Sequence, residues 1–544
     1  MSNTLFFNFT ASLIICVALI PVLTSLSGRF NVLDLPGGRK VHTEPIVRVG
    51  GIAFAIGASV ALLIWAPRDE IVLSCLLGGL TILLFGVWDD RVGLGYKTKL
   101  LGQLIAAAIV VGYGDVRLHS VPFLSDVALP LWLSVPLTLV VLAGAMNAIN
   151  LIDGLDGLAG GLSLLSLGGM ACLAHLSGDS LVVLMAVSVL GGLLGFLRFN
   201  TYPAKIFMGD GGSQFLGFYL GVTAILLTDP SRGPYSPALL LLLLGLPVLD
   251  TAGVICLRLA EGRSPFRADS NHIHHKLLSL GCTHSEAVTL IYTIHAGMVS
   301  LAYLLRWQSD QLVLAVYVCI ALSILSLYYP AWHRFLRWGQ PDKGHADRKA
   351  RLVGLRGRRW VEEVPIRLLG VGVTLFLALS VFLPKQVPVE FGYSAAGLLV
   401  TLVVGLTAFP EAAPFLVRLG LYIGSTFVMY LSEPALSGEV GLIHSSLNIF
   451  FGFMVVLIVT TIRFGREHRF QTTPLDYLIV FVAIIIPWLP DVRVGDVELG
   501  LFTPKLIVLF FSYELLLSQA TQQLTQLRLI SYWLLLGLGV RTWW

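Results

Sequence analysis

Two amides and two carboxylates recur at three-residue intervals in NAINLIDGLDGLAGG, the stretch from Asn147 to Gly161. Asn147 and Asn150 are followed by Asp153 and Asp156, with long apolar runs on both sides. On a helix this spacing would bring all four side chains to one face. A carboxylate at or inside a membrane is costly, so the pattern indicates a functional site rather than an ordinary polar turn.

A pair of adjacent carboxylates, Asp89 and Asp90, stands at the end of another apolar run and is followed by Lys97 and Lys99. Neighbouring carboxylates repel one another unless a cation shares their field. A lysine is one such cation, and Mg²⁺, which prefers hard oxygen ligands, is another. The sequence therefore predicts a cation beside this pair.

A glycine-rich segment, FNTYPAKIFMGDGGSQF at residues 199–215, carries Asp210 directly before Gly211 and Gly212. Backbone N–H groups at the start of a helix attract phosphate oxygens, so this segment predicts a phosphate cradle. An Asp beside it can hold the metal ion that the phosphates share. Phe207, in the same segment, offers a flat ring that could stack on a nucleobase.

Three histidines, His272, His274 and His275, lie close together in FRADSNHIHHKLLSLG at residues 266–281. With Asp269 they could bind Zn²⁺, although zinc ligands are usually spaced for one tetrahedral geometry. The basic residues around them favour contact with phosphate oxygens instead.

A basic segment near the N-terminus, DLPGGRKVHTEPIVRVGG, combines Arg39, Lys40, His42 and Arg48 with turn-forming residues. Taken alone, it fits a cationic loop on the cytoplasmic side of a membrane as well as it fits a binding site.

Composition assigns these segments to a membrane protein. Hydrophobic residues make up 56% of the chain and charged residues 12%, whereas about 25% of a typical soluble domain is charged. The net charge of +4 gives no indication of a nucleic-acid partner. The six cysteines are scattered without a CxxC pair, which is typical of small apolar core residues rather than disulfides or metal ligands.

Apolar runs long enough to cross about 30 Å of hydrocarbon define the predicted spans. Eleven runs lie before residue 331: 4–26, 48–66, 71–88, 99–113, 131–149, 158–176, 180–197, 212–228, 236–258, 286–305 and 311–330. Seven more follow: 366–384, 392–409, 412–431, 442–462, 474–489, 500–518 and 527–540. The sequence thus predicts an all-α polytopic membrane protein. Its parts are a core of about eleven spans at 1–335, a basic cytoplasmic linker at 336–365 and an additional membrane domain of about five to seven spans at 366–544.

Lys and Arg are concentrated in alternate loops of the core, and the sparse loops carry only Arg68, Arg117, Arg232 and Arg306. This asymmetry predicts an N-terminus outside and all the segments above at the cytoplasmic face. Carboxylates, cations and a glycine-rich helix start on one face predict phosphoryl transfer from a soluble diphosphate to a lipid. An ion-coupled transporter is the alternative from another class, and it would place paired broken spans at mid-membrane.

Five segments carry a resemblance by their chain order and spacing: DLPGGRKVHTEPIVRVGG, DDRVGLGYKTKLLGQ, NAINLIDGLDGLAGG, FNTYPAKIFMGDGGS and HIHHKLLSLG. They resemble the polyprenyl-phosphate N-acetylhexosamine-1-phosphate transferases over about residues 1–335. The resemblance implies Mg²⁺-dependent transfer, with Mn²⁺ as a substitute, from a UDP-N-acetylhexosamine to undecaprenyl phosphate with release of UMP. It implies a multi-pass protein of the bacterial inner membrane that starts a cell-wall or lipopolysaccharide O-antigen polymer. Membrane lipid surrounds such a protein, and a homodimer is left open.

The resemblance also assigns roles, motif by motif. Catalytic roles fall to Asp89, Asp90, Asp153, Asp156, His272, His274 and His275. Substrate binding falls to Lys99, Asn150, Asn200, Phe207, Arg267, Arg39 and His42. The metal ligands are Asp210 and Asp153. The HIHH order resembles the branch that uses UDP-GlcNAc, while a phospho-MurNAc-pentapeptide transferase of peptidoglycan synthesis is the alternative. Direct attack by the lipid phosphate and a covalent intermediate both stay open.

Overall fold

The computed structural model describes residues 2–30, 33–34, 46–122, 128–264, 272–326, 359–408, 413–437, 442–464, 493–494, 497–517 and 521–543. Arg39, His42 and Arg267 lie outside these residues, as do the apolar run 474–489 and most of the predicted linker. The described part is almost entirely helical, and the prediction of an all-α polytopic membrane protein is confirmed.

The chain forms two compact units, the first of which holds the described residues up to 326. Its helices are α1 Ser2–Phe30, α2 Gly50–Trp65, α3 Glu70–Val92, α4 Tyr96–Gly114, α5 Leu131–Ile152, α6 Leu158–Ser177, α7 Ser180–Asn200, α8 Gly209–Leu227, α9 Leu240–Leu243, α10 Gly245–Ala260, α11 Ile273–Ser279, α12 His284–Leu304 and α13 Asp310–Ser326. A 3-10 turn at Pro237–Leu239 precedes α9, and the two-residue strands β1 Leu33–Asp34 and β2 Ile46–Val47 pair antiparallel.

Polar residues define several helix starts in this apolar chain. Asp69 accepts the Val72 N–H at 2.8 Å at the start of α3. Thr283 and Glu286 form a reciprocal capping box at the start of α12. These side chains satisfy backbone N–H groups that have no partner within the helix, so they fix where each span begins.

Helix α8 is the buried centre of the first unit. Every residue from Gly211 to Leu227 is buried, and α2, α3, α5 and α6 pack around it. Glycines let the backbones approach closely: a Cβ on Gly86 of α3 would lie 2.2 Å from the Gly211 Cα. The end of α3 is thereby held against the start of α8.

The predicted run 236–258 does not form one straight helix. The segment Pro237–Leu243, which contains α9, meets α10 at an angle of 83°. Ser166 donates a hydrogen bond of 2.7 Å to the Leu243 carbonyl at this break, and the His295 ring lies 2.8 Å from the same hydroxyl. Side chains of other helices thus stabilise a bend that the apolar sequence does not reveal.

By length and composition, seven helices in the described residues could cross a membrane, or eight if the bent pair counts as one span. Six of the seven belong to the first unit, and α2 is shorter, with 16 residues. The predicted count of eleven spans therefore stays a prediction.

The second unit holds the described residues from 359 onward. Its helices are α14 Arg359–Ser380, α15 Val389–Ala408, α16 Ala413–Ser437, α17 Leu442–Phe464, α18 Leu499–Leu517 and α19 Thr521–Arg541, and strands β3 Arg493–Val494 and β4 Val497–Glu498 pair antiparallel. Glu514 accepts hydrogen bonds from Arg418 at 3.0 Å and from Tyr422 at 2.6 Å. This ion pair joins α16 to α18.

Candidate active site

Lys99 lies between two carboxylates from different helices. Its Nζ is 2.7 Å from Asp210 Oδ2 and contacts Asp89 Oδ2 as well. A tight turn after α3 makes this possible, since the Leu94 N–H donates to Asp89 Oδ1 at 2.6 Å and α4 starts two residues later. The single positive charge of Lys99 is therefore shared between carboxylates of two separate segments.

Asp90 binds the start of α8. Its two carboxylate oxygens accept the N–H groups of Asp210 at 3.0 Å and Gly211 at 3.2 Å. Arg48 approaches the same carboxylate at 3.4 Å. The expectation of a phosphate cradle at this helix start is therefore wrong for these two N–H groups, because Asp90 already occupies them.

Asn150 of α5 completes the polar layer around Asp210. Its Nδ2 donates to Ser213 Oγ at 2.8 Å and to Asp210 Oδ1 at 3.2 Å. Helices α3, α4, α5 and α8 thus each contribute a polar side chain to one end of the bundle, which we call the site end.

An amide layer lies one helical turn further from the site end, on three of these helices, α4, α5 and α8. Gln103 donates to Gln214 Oε1 at 3.1 Å and to Asn147 Oδ1 at 3.3 Å. Asn147 donates back to Gln103 Oε1 at 2.8 Å. Buried amides that satisfy one another fix the rotation of their helices, so this layer holds Lys99 over Asp210.

The carboxylates after α5 lie in a turn, not on a helix. Helix α5 ends at Ile152, so only the two amides share its face, and the expectation of four side chains on one helix face is wrong. The turn ends at Gly157, which precedes α6 and has φ +79°, a conformation that side chains rarely adopt. The turn 153–157 nevertheless lies at the site end.

Asp156 and Asn200 fasten this turn to the loop before α8. Asp156 Oδ2 accepts the Ala204 N–H at 2.9 Å. Asn200 accepts the Gly157 N–H at 3.0 Å and donates to the Ile206 carbonyl at 2.9 Å. These contacts are structural, and the catalytic role of Asp156 and the substrate-binding role of Asn200 stay predictions.

Asp153 shares an electrostatic field with the other acids. Burial raises the pKa of Asp153 to about 7, and nearby carboxylates act in the same direction. These carboxylates are Asp210, Asp156 and Asp90, whereas Arg48 lowers the pKa. The acids of three separate segments therefore interact with one another at the site end.

Phe207 is held by its backbone and is half-buried. Its N–H donates to the Val47 carbonyl at 2.8 Å, and its carbonyl accepts the Gly50 N–H at 3.0 Å. The segment before α2 is thereby joined to the segment before α8, which brings Arg48 to the site. Stacking of the Phe207 ring on uracil stays a prediction.

The histidines reach the site through the turn after α5. His274 is buried, and a Cβ on Gly154 would lie 2.2 Å from its Nε2. Burial lowers the pKa of His274 to about 3, and His275 adds to this effect. The pKa of His275 is also lowered, first by burial and then by His272.

Sequence reasoning missed Asp250 of α10. Its Oδ2 lies 2.7 Å from His272 Nδ1, and its Oδ1 accepts the Ile273 N–H at 2.8 Å. The available signal was a lone carboxylate inside the apolar run LLLLGLPVLDTAGVI, which is costly unless it is used. Ser213, Gln103 and Gln214 were likewise absent from the predicted site, and Arg48 was named only as part of a basic segment without a role of its own.

Two ways of binding Mg²⁺ can be compared at the site end: a cage of protein ligands formed in advance, or a Mg²⁺ ion that binds together with a diphosphate. The residues at the site end fit the second better. In the part of the chain that the structure describes, no three His, Cys, Asp or Glu side chains are arranged to hold a metal. Asp269, the carboxylate of the zinc hypothesis, lies outside that part. Mg²⁺ usually takes one or two protein carboxylates and completes its shell with water and phosphate. Asp210 and Asp153 offer such oxygens, and their assignment as ligands stays a prediction.

Comparison with known proteins points to one family. Residues 72–228 match glycosyl transferase family 4. A Bacillus subtilis (strain 168) protein named "Probable undecaprenyl-phosphate N-acetylglucosaminyl 1-phosphate transferase" is 34% identical over 53% of this chain and 80% of its own length. A Mycolicibacterium smegmatis decaprenyl-phosphate N-acetylglucosaminephosphotransferase is 33% identical over 57% of this chain and 84% of its own.

A third similar protein is the undecaprenyl-phosphate alpha-N-acetylglucosaminyl 1-phosphate transferase of Yersinia pestis. It is 30% identical over 55% of this chain and 83% of its own length. Each relative is therefore matched over most of its length, while a large part of this chain lies outside each match.

Proposed function

Because this chain belongs to the polyprenyl-phosphate N-acetylhexosamine-1-phosphate transferases of glycosyl transferase family 4, we propose that it transfers GlcNAc-1-phosphate from UDP-GlcNAc to undecaprenyl phosphate and releases UMP. The names of the relatives support the sugar and the polyprenyl phosphate. The observation that carries the proposal is Lys99, which joins Asp89 to Asp210 at one end of a membrane bundle.

The proposed reaction is one substitution at phosphorus. A phosphate oxygen of the lipid attacks the sugar-bearing phosphorus of the donor, the bond from that phosphorus to the bridging oxygen breaks, and UMP leaves. When Mg²⁺ is bound, Asp210 and Asp153 would hold it beside the diphosphate, where it neutralises phosphate charge. We favour this direct attack over a covalent enzyme intermediate.

Asp89 and Asp90 have different surroundings within this proposal. Both carboxylate oxygens of Asp90 accept N–H groups at the start of α8, so the main role of Asp90 is to stabilise the start of that helix. Asp89 accepts the Leu94 N–H with one oxygen and contacts the Lys99 ammonium with the other. Because the Lys99 ammonium can also bind phosphate oxygens, we assign to Asp89 the proton of the lipid phosphate. Lys99, Arg48 and the histidines supply positive or hydrogen-bonding groups for the phosphate oxygens.

The proposal includes a place in the cell. We assign the protein to the bacterial inner membrane, with the N-terminus outside and the site end at the cytoplasmic face, where UDP-sugars are found. The product would start a cell-envelope polysaccharide. No observation favours an ion-coupled transporter: the described residues contain one bent helix pair rather than two, and the acids gather at one end.

Lipid product analysis tests the proposal. Purified full-length protein is incubated with undecaprenyl phosphate, Mg²⁺ and one donor at a time: UDP-GlcNAc, UDP-GalNAc or UDP-MurNAc-pentapeptide. We expect a GlcNAc diphospholipid that disappears with EDTA and returns with Mg²⁺ or Mn²⁺. A product from the pentapeptide donor alone would overturn the choice of sugar, and no product from any donor would overturn the function.

A further inference from the structure

Asp250 is a buried carboxylate in an apolar helix. Only 3% of the residue is exposed, and it lies on α10, just beyond the 83° bend after α9. Removing a carboxylate from water costs several kcal/mol unless partners compensate it. Its partners therefore indicate why the chain keeps it there.

Both oxygens of Asp250 are engaged by the histidine segment. Oδ2 lies 2.7 Å from His272 Nδ1, and Oδ1 accepts the Ile273 N–H at 2.8 Å. The side chains of His272 and Asp250 are 5% and 1% exposed. A carboxylate can only accept, so Nδ1 must carry the proton, and Nε2 is the ring nitrogen left for another group.

His272 and His274 differ in their hydrogen-bond partners. Both ring nitrogens of His274 are buried without a hydrogen-bond partner among the described residues. The His272 and His274 rings stack with centroids 5.8 Å apart and an angle of 8° between their planes. Of these two stacked rings, His272 is the one with a carboxylate that fixes its orientation and its Nδ1 proton.

We propose that Asp250 is a positioning residue for the transfer reaction: it fixes the ring of His272 so that Nε2 serves the phosphate oxygens of the donor. This inference rests on the proposed function. In this proposal Asp250 acts on the reaction through His272 and not by contact with the substrate.

A purely structural role is the competing explanation, because Asp250 also caps α11 through the Ile273 N–H. Substitution of Asp250 by Asn distinguishes the proposed positioning role from this structural role. Asn keeps the size of the side chain and an oxygen for the Ile273 N–H, but its amide N–H group cannot accept the Nδ1 proton of His272.

A double-mutant cycle is the first test. D250N, H272Q and the double variant are assayed for GlcNAc diphospholipid formation. We expect each single variant to lose about 10- to 100-fold in kcat/KM, and the double variant to match H272Q within about twofold, because one interaction is removed in either case. Additive losses, or full activity of D250N, would overturn the inference.

The control for the cycle is D179N. Asp179 also caps a helix, accepting the Leu181 and Val182 N–H groups at 3.1 Å each, and it pairs with Arg232. It lies at the other end of α7 from the site, so D179N should keep wild-type activity. D250E, which restores a carboxylate, should recover part of the activity that D250N loses.

A second readout needs no activity. ¹⁵N-histidine NMR of the wild-type protein, with His272 identified by its loss in H272Q, should show a protonated Nδ1. An unprotonated Nδ1 would overturn the inference even if D250N cannot be purified. If the wild-type protein transfers no sugar phosphate but shows the protonated Nδ1, the proposed function fails while the Asp250–His272 pairing stands.

Discussion

Lys99 is the residue that connects the paired acids to the acid at the start of α8. Its ammonium contacts Asp89 and lies 2.7 Å from Asp210 Oδ2. Without it, carboxylates from two helices would face one another with no counter-charge between them, at a place where the surrounding protein weakens solvent screening.

We therefore expect Lys99→Met to lower kcat/KM by at least about a hundredfold, the usual cost of losing a group that stabilises phosphate charge. The measurement is the initial rate of lipid product formation. Lys97 is exposed two residues earlier, so Lys97→Met is the matched control and should keep the rate within about twofold. Equal losses in both variants would contradict a specific role for Lys99.

His274 makes stability depend on pH. Burial lowers its folded-state pKa to about 3, so the unfolded chain takes up the proton first as the pH falls below about 6.5. The free energy of unfolding then decreases by about 1.4 kcal/mol for each pH unit. This loss continues until the pH approaches the folded-state pKa.

We expect His274→Gln to remove this dependence. Between pH 7.5 and pH 5, the apparent unfolding temperature of the detergent-solubilised variant should fall less than that of the wild type. Thermal unfolding followed by intrinsic fluorescence measures the difference. An identical fall in both proteins would show that His274 is protonated as easily in the folded state as in the unfolded chain.

At the scale of elements, the contact between α3 and α8 sets the geometry of the site. A Cβ on Gly86 would lie 2.2 Å from the Gly211 Cα, so the two helices touch backbone to backbone. Asp89 and Asp90 follow about one turn later on α3. Any outward shift of α3 would therefore carry both acids away from Asp210.

Gly86→Ala should separate the helices, at a cost of about 1–3 kcal/mol for overpacking. We expect a lower unfolding temperature and at least about a tenfold loss of kcat/KM. Gly112→Ala on α4 is the control, since a Cβ there meets nothing within 4 Å. Wild-type activity of Gly86→Ala would mean that the close contact does not position the acids.

Hydrophobic patterning was enough to predict the helices of the first unit, because burial of apolar runs is a local property of the sequence. Every predicted run before residue 331 coincides with a helix or with the bent pair. The bend itself could not be predicted, since Ser166 satisfies the carbonyl at the break from another helix.

The site was predicted in its residue types but not in its pairings. Asp90 binds the start of α8 across 120 residues, and Asp250 binds His272 within an apolar helix. Such contacts depend on tertiary packing, which spacing does not encode. The two glycines of the turn 153–157 did contain a usable signal, because Asp-Gly pairs mark turns.

At the scale of the whole molecule, the chain has two compact units, and the similarity to the three relatives described above covers 53–57% of it. All site residues that the structure describes lie in the first unit. The second unit contains an ion pair between Arg418 and Glu514, which holds two of its helices together. The division into a transferase core and an added membrane domain stays a prediction.

A chain that ends at residue 340 tests this division. We expect it to form the GlcNAc diphospholipid at a rate within a few-fold of the full-length protein, because it keeps every site residue and its own packed interior. Lipid product analysis is combined with size-exclusion chromatography. A truncated protein that is monodisperse but inactive would show that the second unit contributes to the core reaction.

Asp210 is where the described site segments converge: it meets Lys99 of α4 and Asn150 of α5, and its N–H is bound by Asp90 of α3. The most direct measurement is the initial rate of UMP release from UDP-GlcNAc by purified full-length protein with undecaprenyl phosphate and Mg²⁺, for the wild type and for Asp210→Asn. We predict lipid-dependent release by the wild type and at least about a hundredfold slower release by the variant. Equal turnover by the two proteins would contradict the assignment of this acidic cluster as the site of sugar-phosphate transfer.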